Sequence, residues 1–124
     1  MNKLRMGVIG LGNRGFHAIQ HTLLKIDDVE VTAVCDEYED RVENAAAEVN
    51  AATGKVPFKT TDYTKVLERS DVDAVLVSTA WESHIEIAAA AMEAGKITAL
   101  EVGGAYSIDD CWNLVRTYER TKTP

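Results

Sequence analysis

Three closely spaced glycines near the start of the chain most constrain how it can fold. The stretch GVIGLGNRGFHA, residues 7–18, carries them at Gly10, Gly12 and Gly15. An apolar run precedes these glycines and a stretch with helical spacing follows them, which predicts a strand, a tight turn and a helix. In such a turn the first glycine permits the bend, the second lets a ligand approach the backbone, and the third lets the helix pack closely on the strand.

The rest of the chain alternates between strand-like and helix-like patterns. Apolar runs predict strands at residues 4–10, 29–36, 56–60, 72–79 and 96–102. Amphipathic or alanine-rich stretches predict helices at residues 14–25, 39–53, 63–69, 84–95 and 107–121. This alternation is typical of a parallel sheet with right-handed crossovers and helices on both faces. The sequence therefore predicts an α/β fold, a doubly wound parallel sheet of the Rossmann NAD(P)-binding type.

Four further expectations concern the strands of this sheet. A doubly wound dinucleotide fold has six strands in the order 3-2-1-4-5-6, and the chain supplies five before it stops at residues 121–124. We therefore expect residues 1–124 to form one Rossmann domain that is truncated before its sixth strand. The fifth strand would be an unpaired edge, which favours a homo-oligomer. Pro57 places the third strand at the other edge, and the apolar runs 72–79 and 96–102 predict buried strands.

The turn itself predicts a site for an anion. Free backbone N–H groups around Asn13 and Arg14 lie at the start of the first helix, whose positive end attracts a phosphate group. The alternative is a glycine-rich turn that binds nothing. The position of the three glycines, directly after a strand and before a helix, favours a dinucleotide instead.

A second signal is Asp36, which ends the second predicted strand about 20 residues beyond Gly15. A carboxylate there accepts hydrogen bonds from the adenosine ribose and repels the additional phosphate of NADP, so we expect NAD as the cofactor and regard NADP as less favoured. Arg14 or Arg41 could instead turn towards a 2′-phosphate. The structural alternative is that Asp36 is a turn residue or a helix cap.

Composition excludes several classes of partner. The net charge of −7 would make nucleic acid and anionic membranes repel the chain. No apolar run approaches the ~20 residues of a membrane-spanning helix, and the N-terminus has no signal-peptide cleavage site. Cys35 and Cys111 lack metal-ligand spacing, and nothing completes a ligand set around His17 and His21. We therefore expect a cytoplasmic protein with reduced thiols, no metal, and neither nucleic acid nor a membrane as a partner.

Four segments carry a resemblance to a known family. GVIGLGNRGFH, AVCDEYEDR, STAWESHIEIAAAAMEAGK and ALEVGGAYSIDDCWNLV resemble the N-terminal domain of the glucose–fructose oxidoreductase / inositol dehydrogenase / MocA family. The resemblance covers essentially the whole chain. It implies hydride transfer between NAD or NADP and a sugar or polyol, with the substrate site and the oligomer interface in a second α/β domain. This chain alone would then bind NAD weakly and be inactive.

The resemblance also implies which residues hold the cofactor. They are Gly10, Gly12, Asn13, Arg14 and Gly15 for the pyrophosphate, Asp36 for the adenosine ribose, and Thr79, Trp81, His84, Glu101 and Val102 for the remainder of the cleft. Some of these residues have structural alternatives. Trp81 could pack on the helix below it, His84 could cap that helix, and Glu101 could be a polar strand end.

One departure from the family pattern bears on activity. Where the family commonly has Glu-Lys-Pro, this chain has Glu101, Val102 and Gly103. Valine cannot titrate, so no catalytic residue is assigned here, and Gly103-Gly104 offers a backbone able to approach the nicotinamide.

Two alternative functions follow from this departure. One is an NAD-dependent glycosidase similar to α-N-acetylgalactosaminidases, which oxidise a ring hydroxyl transiently, eliminate the aglycone, add water and reduce the ring again. The other is a non-catalytic dinucleotide-sensing domain.

In the last helix, we expect Cys111 and Trp112 to pack against the sheet.

Overall fold

The alternating pattern of the sequence becomes a single parallel sheet covered by helices. The computed structural model describes residues 2–124. Its strands β1 to β5 are Leu4–Ile9, Val29–Cys35, Phe58–Thr60, Ala74–Val77 and Ile97–Leu100. Its helices α1 to α5 are Asn13–His21, Glu39–Thr53, Tyr63–Leu67, His84–Glu93 and Ile108–Thr121. Single 3₁₀ turns lie at Leu23–Lys25 and Trp81–Ser83. The predicted α/β fold with a Rossmann-type parallel sheet is confirmed.

The strand order places the candidate site. The sheet runs β3-β2-β1-β4-β5, and every neighbouring pair is parallel. Ile9 at the end of β1 pairs with Cys35 of β2 on one side and with Val77 of β4 on the other. The residues that follow these three strands therefore meet at one edge of the sheet, where the strand order reverses. Ligands of open α/β sheets bind at such a point.

Each face of the sheet has its own apolar core. Val8 and Val34 lie in a core with α1 and α2, whereas the adjacent Ile9 and Cys35 lie in the core with α3 and α4. Successive strand residues point to opposite faces, so burial on both sides requires apolar residues at almost every position. This explains why the central strands have near-continuous apolar sequences rather than an alternating pattern.

The edge strand β5 departs from the prediction. The sequence predicted a buried strand over 96–102, but the strand is shorter and Ile97 is exposed. The prediction was wrong for one face: Leu100 packs against the core with α3 and α4, whereas Ile97 and Ala99, which alternate with it along the strand, are exposed. The backbone N–H of Thr98 donates a hydrogen bond of 2.8 Å to the carbonyl oxygen of Pro124.

The last helix also differs from expectation. α5 packs on α4, with Thr117 buried and the opposite side of the helix exposed. Cys111 and Trp112 lie on that exposed side, so the prediction that they pack against the sheet was wrong. The reason is that five residues turn an α-helix by more than a third of a circle, which separates residue 112 from residue 117.

Within residues 2–124, no helix has both the length and the apolar character to cross a bilayer.

An ion pair ties β1 to the start of β4 at the opposite edge of the sheet. The Arg5 guanidinium donates hydrogen bonds of 2.9 and 2.7 Å to the two carboxylate oxygens of Asp73, and the Arg5 backbone N–H donates a third. These bonds, with the guanidinium contributing most, lower the pKa of Asp73 to about 2. The carboxylate must be ionised to accept them, so this link depends on pH.

We predict that Asp73→Asn reduces the loss of stability in acid. A carboxyl whose pKa is lower in the folded state stabilises the fold above its unfolded pKa, and this contribution disappears as the pH falls from about 4 to about 2. Denaturant midpoints should therefore fall less steeply over this range in the variant, although the variant starts from a lower stability at pH 7. Parallel pH profiles of the two proteins would contradict the prediction.

Candidate functional site

Two of the three glycines are required by the turn itself. Gly10 has φ +98°, and a Cβ atom there would lie 2.6 Å from the carbonyl oxygen of Ser78 and from the backbone nitrogen of Thr79. A Cβ atom on Gly15 would overlap the carbonyl oxygen of Gly10. No larger residue fits either position, so these two glycines are explained by the packing of β1, β4 and α1 against one another.

Gly12 is different, because the protein itself does not require a glycine there. Its φ of −69° and ψ of −165° are open to any residue, and a Cβ atom would meet only the tip of Arg41, at 3.5 Å. A shallow cavity of about 550 Å³ opens beside Gly12 and Asn13, with Arg41 among its lining residues. A side chain at residue 12 would project into open space in front of α1. The missing Cβ atom therefore leaves room for a ligand to touch the backbone.

The N-terminus of α1 carries unpaired hydrogen-bond donors. No side chain caps this helix and its first turn has no acidic residue, whereas Asp62 caps α3 and Ser107 caps α5. Phe16 is the first residue whose backbone N–H reaches back along the helix, to the carbonyl oxygen of Gly12 at 2.9 Å. The preceding N–H groups of α1 have no intrahelical acceptor. Together with the open space at Gly12, they fit a diphosphate.

Asp36 is buried and connects β2 to the glycine turn. Its Oδ2 accepts a hydrogen bond of 2.7 Å from the backbone N–H of Leu11, and its Oδ1 accepts one of 2.9 Å from that of Tyr38. Arg41 Nη1 lies 3.7 Å from the same carboxylate, and its guanidinium also lies over the Tyr38 ring. Two carboxylate oxygens offer about four acceptor positions, so two hydrogen bonds leave capacity for a ligand hydroxyl.

The loop after β4 is held from below by His84. This side chain is only 1% exposed, and its Nε2 lies 2.8 Å from the carbonyl oxygen of Thr79. A carbonyl can only accept, so Nε2 carries the hydrogen. The Ser83 hydroxyl donates a hydrogen bond of 2.7 Å to the Thr79 hydroxyl. Thr79 is thus fixed through both its backbone and its side chain, and His84 orients the loop rather than facing the cleft.

Two buried polar atoms near the end of β4 lack partners. Among residues 2–124, Ser78 Oγ and His84 Nδ1 are buried and make no hydrogen bond. Both atoms lie beside the end of β4, where the loop that begins at Thr79 leaves the sheet.

Trp81 and Gly103 form a close contact between the loops after β4 and β5. A Cβ atom on Gly103 would lie 2.6 Å from the indole nitrogen of Trp81, and Gly103 has φ +90°. The indole is otherwise exposed. The sequence indicated that Gly103 gives a ligand access to the backbone. In the structure, the Trp81 indole occupies the space beside Gly103.

Glu101 and Val102 lie at the end of β5. Glu101 Oε1 accepts a hydrogen bond of 3.2 Å from Arg14 Nε, so Glu101 is more than a polar strand end. The Val102 side chain is exposed. Val102 stands at the position where the family that the sequence resembles commonly has lysine.

The carboxyl edge of the sheet thus brings most of the predicted site residues together. Those with atoms at this edge are Gly10, Gly12, Asn13, Arg14, Gly15, Asp36, Thr79, Trp81, Glu101 and Val102. Sequence reasoning missed the roles of Ser78, whose backbone packs on Gly10, and of Leu11, whose N–H binds Asp36. The only sequence signal for these two residues was their position: Leu11 lies between Gly10 and Gly12, and Ser78 directly precedes Thr79.

Other reactive side chains do not extend the site. Burial raises the pKa of the Cys35 thiol to about 12, which leaves it un-ionised and unreactive at neutral pH. The imidazole rings of His17 and His21 lie 4.4 Å apart on α1. Across residues 2–124, no three histidine, cysteine or acidic side chains are grouped to hold a metal ion.

Comparisons with known proteins agree with this geometry. The chain matches, over residues 4–123, a family described as an oxidoreductase family with an NAD-binding Rossmann fold. A glycosyl hydrolase family 109 protein from Shewanella sp. strain W3-18-1 is 35% identical over 126 residues, which cover 98% of this chain and 27% of that protein. The chain therefore spans about a quarter of that relative's length.

Two solved structures share the fold with detectable sequence identity. A probable dehydrogenase from Thermotoga maritima has a TM-score of 0.87 and 28% identity, covering 97% of this chain and 34% of that one. A variant of a 3-ketoreductase from Actinomadura kijaniata, in complex with TDP-benzene and NADP, has a TM-score of 0.83 and 26% identity, covering 96% and 36%.

We predict that Gly103→Ala displaces the Trp81 indole. The substitution should shift the emission of Trp81, measured in a Trp112→Phe background where it is the only tryptophan. Gly95→Ala is the matched control, since Gly95 has a similar φ of +76° but nothing within 4 Å of a Cβ atom. Both variants should lose about 1 kcal/mol of stability from backbone strain. Identical emission spectra in the two variants would contradict the proposed contact.

Proposed function

The chain belongs to the oxidoreductase family of glucose–fructose oxidoreductase, inositol dehydrogenase and MocA, as its NAD-binding Rossmann domain, and from this we propose that it holds NAD for hydride transfer to or from a sugar or polyol. The observation that supports the proposal is Gly12, where the fold has room for a Cβ atom that would meet only the tip of Arg41. When bound, the nicotinamide ring supplies the redox chemistry, and the protein supplies binding and orientation.

Each part of the proposed site has a chemical reason. The N–H groups of Asn13, Arg14 and Gly15 would bind the pyrophosphate, because they lack helical acceptors at the positive end of α1. Asp36 would bind the adenosine ribose through its remaining acceptor capacity. In this arrangement the doubly charged pyrophosphate would bind to backbone amides, and the ribose hydroxyl groups would bind to a carboxylate.

The nicotinamide half would lie along the ends of β4 and β5. Thr79 and Trp81 would line this part of the cleft, with His84 acting through the Thr79 carbonyl. Glu101 would accept a hydrogen bond from the second ribose, and Val102 would present an apolar surface. Val102 cannot accept a proton, and His84 is buried with its Nε2 bonded to the Thr79 carbonyl oxygen, so the proton of an oxidised hydroxyl group would leave through a residue outside this chain.

Asp36 also supports NAD over NADP. A buried carboxylate at the ribose position repels a 2′-phosphate, and Arg41 is held 3.7 Å from that carboxylate, where its charge is already offset. The opposing observation is that the Actinomadura 3-ketoreductase, which shares the fold, binds NADP. Direct comparison of the two cofactors therefore decides the matter.

A second candidate function is an NAD-dependent glycosidase. The relative from Shewanella is described as a glycosyl hydrolase family 109 protein and is more similar in sequence than either solved dehydrogenase or reductase. Val102 supports this candidate as well, because it removes the lysine that the dehydrogenases commonly use. The two functions differ in redox balance: a dehydrogenase turnover leaves the reduced cofactor, whereas the glycosidase cycle returns it to the oxidised form.

The proposal also covers where the substrate binds, how the protein assembles and where in the cell it acts. The relatives are three to four times as long as this chain, which supports a substrate site in a second domain outside it. The exposed side chain of Ile97 on β5 and the exposed apolar side of α5 support association with a further copy. The unpaired cysteines Cys35 and Cys111 fit the cytoplasm.

We predict that Gly12→Ala weakens cofactor binding without harming the fold. The methyl group would meet nothing but the end of Arg41, so the free energy of unfolding should change by less than about 0.5 kcal/mol. The Kd for NADH, measured by calorimetry, should rise at least about tenfold, or 1.4 kcal/mol. Gly15→Ala is the contrast, since it should unfold the turn. Unchanged NADH affinity in a folded Gly12→Ala protein would refute the proposed function.

We also predict that the wild-type protein binds NADH at least about tenfold more tightly than NADPH, and that Asp36→Asn narrows the difference. Asparagine retains an oxygen for the Leu11 N–H but loses the acceptor for the Tyr38 N–H, so thermal unfolding is measured alongside to confirm that the variant is folded. Glu37→Gln is the matched control, because it removes the same charge from an exposed neighbour. A ratio of the two affinities that is equal in all three proteins would remove Asp36 from the ribose site.

A further inference from the structure

One ion pair crosses the mouth of the cleft. Arg14, the second residue of α1, donates from Nε to Oε1 of Glu101, which directly follows β5, across 87 residues of sequence. The two side chains are 72% and 28% exposed. In the sheet, β4 lies between β1 and β5, so the pair reaches over the end of β4 and the loop that begins at Thr79.

The position of Arg14 is unfavourable for the helix that carries it. The N-terminus of a helix is positive, so a basic residue in its first turn is repelled by the helix dipole. α1 has no acidic residue in that turn to offset the charge. Glu101 supplies the compensating charge from a different element. An arginine kept where the local structure disfavours it points to a role towards an anion.

Arg14 also has donors to spare. Its single hydrogen bond to Glu101 uses Nε, and within residues 2–124 its two terminal nitrogens make no other hydrogen bond. A guanidinium group can bind a phosphate with two parallel N–H donors while its charge is shared with a neighbouring acid. The first turn of α1 holds the N–H groups proposed for the pyrophosphate, so the same anion would lie within reach of Arg14.

We propose that Glu101 is an internal competitor for Arg14, and that the pyrophosphate of the cofactor takes Arg14 over when it binds. This inference rests on the proposed function. In the free protein, Glu101 neutralises and holds the guanidinium across the passage between the two halves of the cleft. With the diphosphate bound, Arg14 turns to it and Glu101 is released for the nicotinamide ribose. Arg14 and Glu101 are then positioning residues that couple the two halves of the site.

Competition of this kind gives the two partners opposite effects on anion binding. Removing Arg14 takes away a donor to the diphosphate, so affinity should fall. Removing the charge of Glu101 frees Arg14, so affinity should rise. A pair that serves only stability would affect folding in both variants and would leave binding of the anion unchanged.

The test uses ADP as the probe, because ADP carries the diphosphate but lacks the nicotinamide ribose that Glu101 would also contact. Calorimetry at low ionic strength would give the Kd for ADP in the wild type, Arg14→Gln, Glu101→Gln and the double variant. We expect Arg14→Gln to weaken and Glu101→Gln to tighten ADP binding by about two- to fivefold each, the range of an exposed ion pair. In the Arg14→Gln background, Glu101→Gln should have little effect.

The chain offers a closely matched control at the opposite edge of the sheet. Lys55 and Glu30 form an ion pair of 2.8 Å with side-chain exposures of 74% and 27%. Glu30→Gln removes the same charge with the same exposure, but near the start of β2. ADP affinity should therefore equal that of the wild type, and thermal unfolding of every variant would confirm that the proteins remain folded.

The outcomes separate this inference from the function beneath it. If wild-type protein binds ADP and NADH but Glu101→Gln tightens ADP equally with and without Arg14, the effect is general charge repulsion and the competition is refuted. Equal affinities in all variants refute it as well. If neither ADP nor NADH binds to the wild type, the proposed function fails and the competition fails with it.

Discussion

The close contact between Gly15 and the carbonyl oxygen of Gly10 is the constraint on which the site depends. It sets how near α1 can lie to the end of β1, since any side chain at residue 15 would push the helix away. The same approach brings Gly10 against Ser78 and thereby fixes β4 beside β1. The start of α1, the end of β1 and the point where the strand order reverses are thus positioned together. The cleft is formed by this arrangement.

Asp36 extends this constraint to the second strand. Its hydrogen bonds to Leu11 and Tyr38 link the glycine turn to the start of α2. If Asp36 also binds a ribose, as proposed, it would couple the shape of the proposed pyrophosphate site to the occupant of the neighbouring ribose site. The two interpretations of Asp36, as a turn residue and as a ligand for the ribose, are therefore compatible rather than exclusive.

Local sequence patterns predicted most of the fold but few of the contacts between residues of the site. These patterns each span a few residues: the strand and helix periods, the glycine turn and the acid after β2. They predicted the parallel sheet and its two edge strands, β3 and β5, correctly. The contacts of Arg14 with Glu101 and of Trp81 with Gly103 join different loops, so no local pattern could reveal them. Burial of β5 was mispredicted because composition does not show which face of a strand is covered.

The balance of charge at the cleft favours a dinucleotide over a simpler anion. Each arginine beside the glycine turn is paired with an acid, Arg14 with Glu101 and Arg41 with Asp36. A site for free phosphate gains nothing from two carboxylates, which repel it. A dinucleotide presents ribose hydroxyl groups on both sides of its diphosphate, and carboxylates are the acceptors that such hydroxyls need. The acids would thus serve the sugars, while backbone amides that carry no net charge would bind the diphosphate.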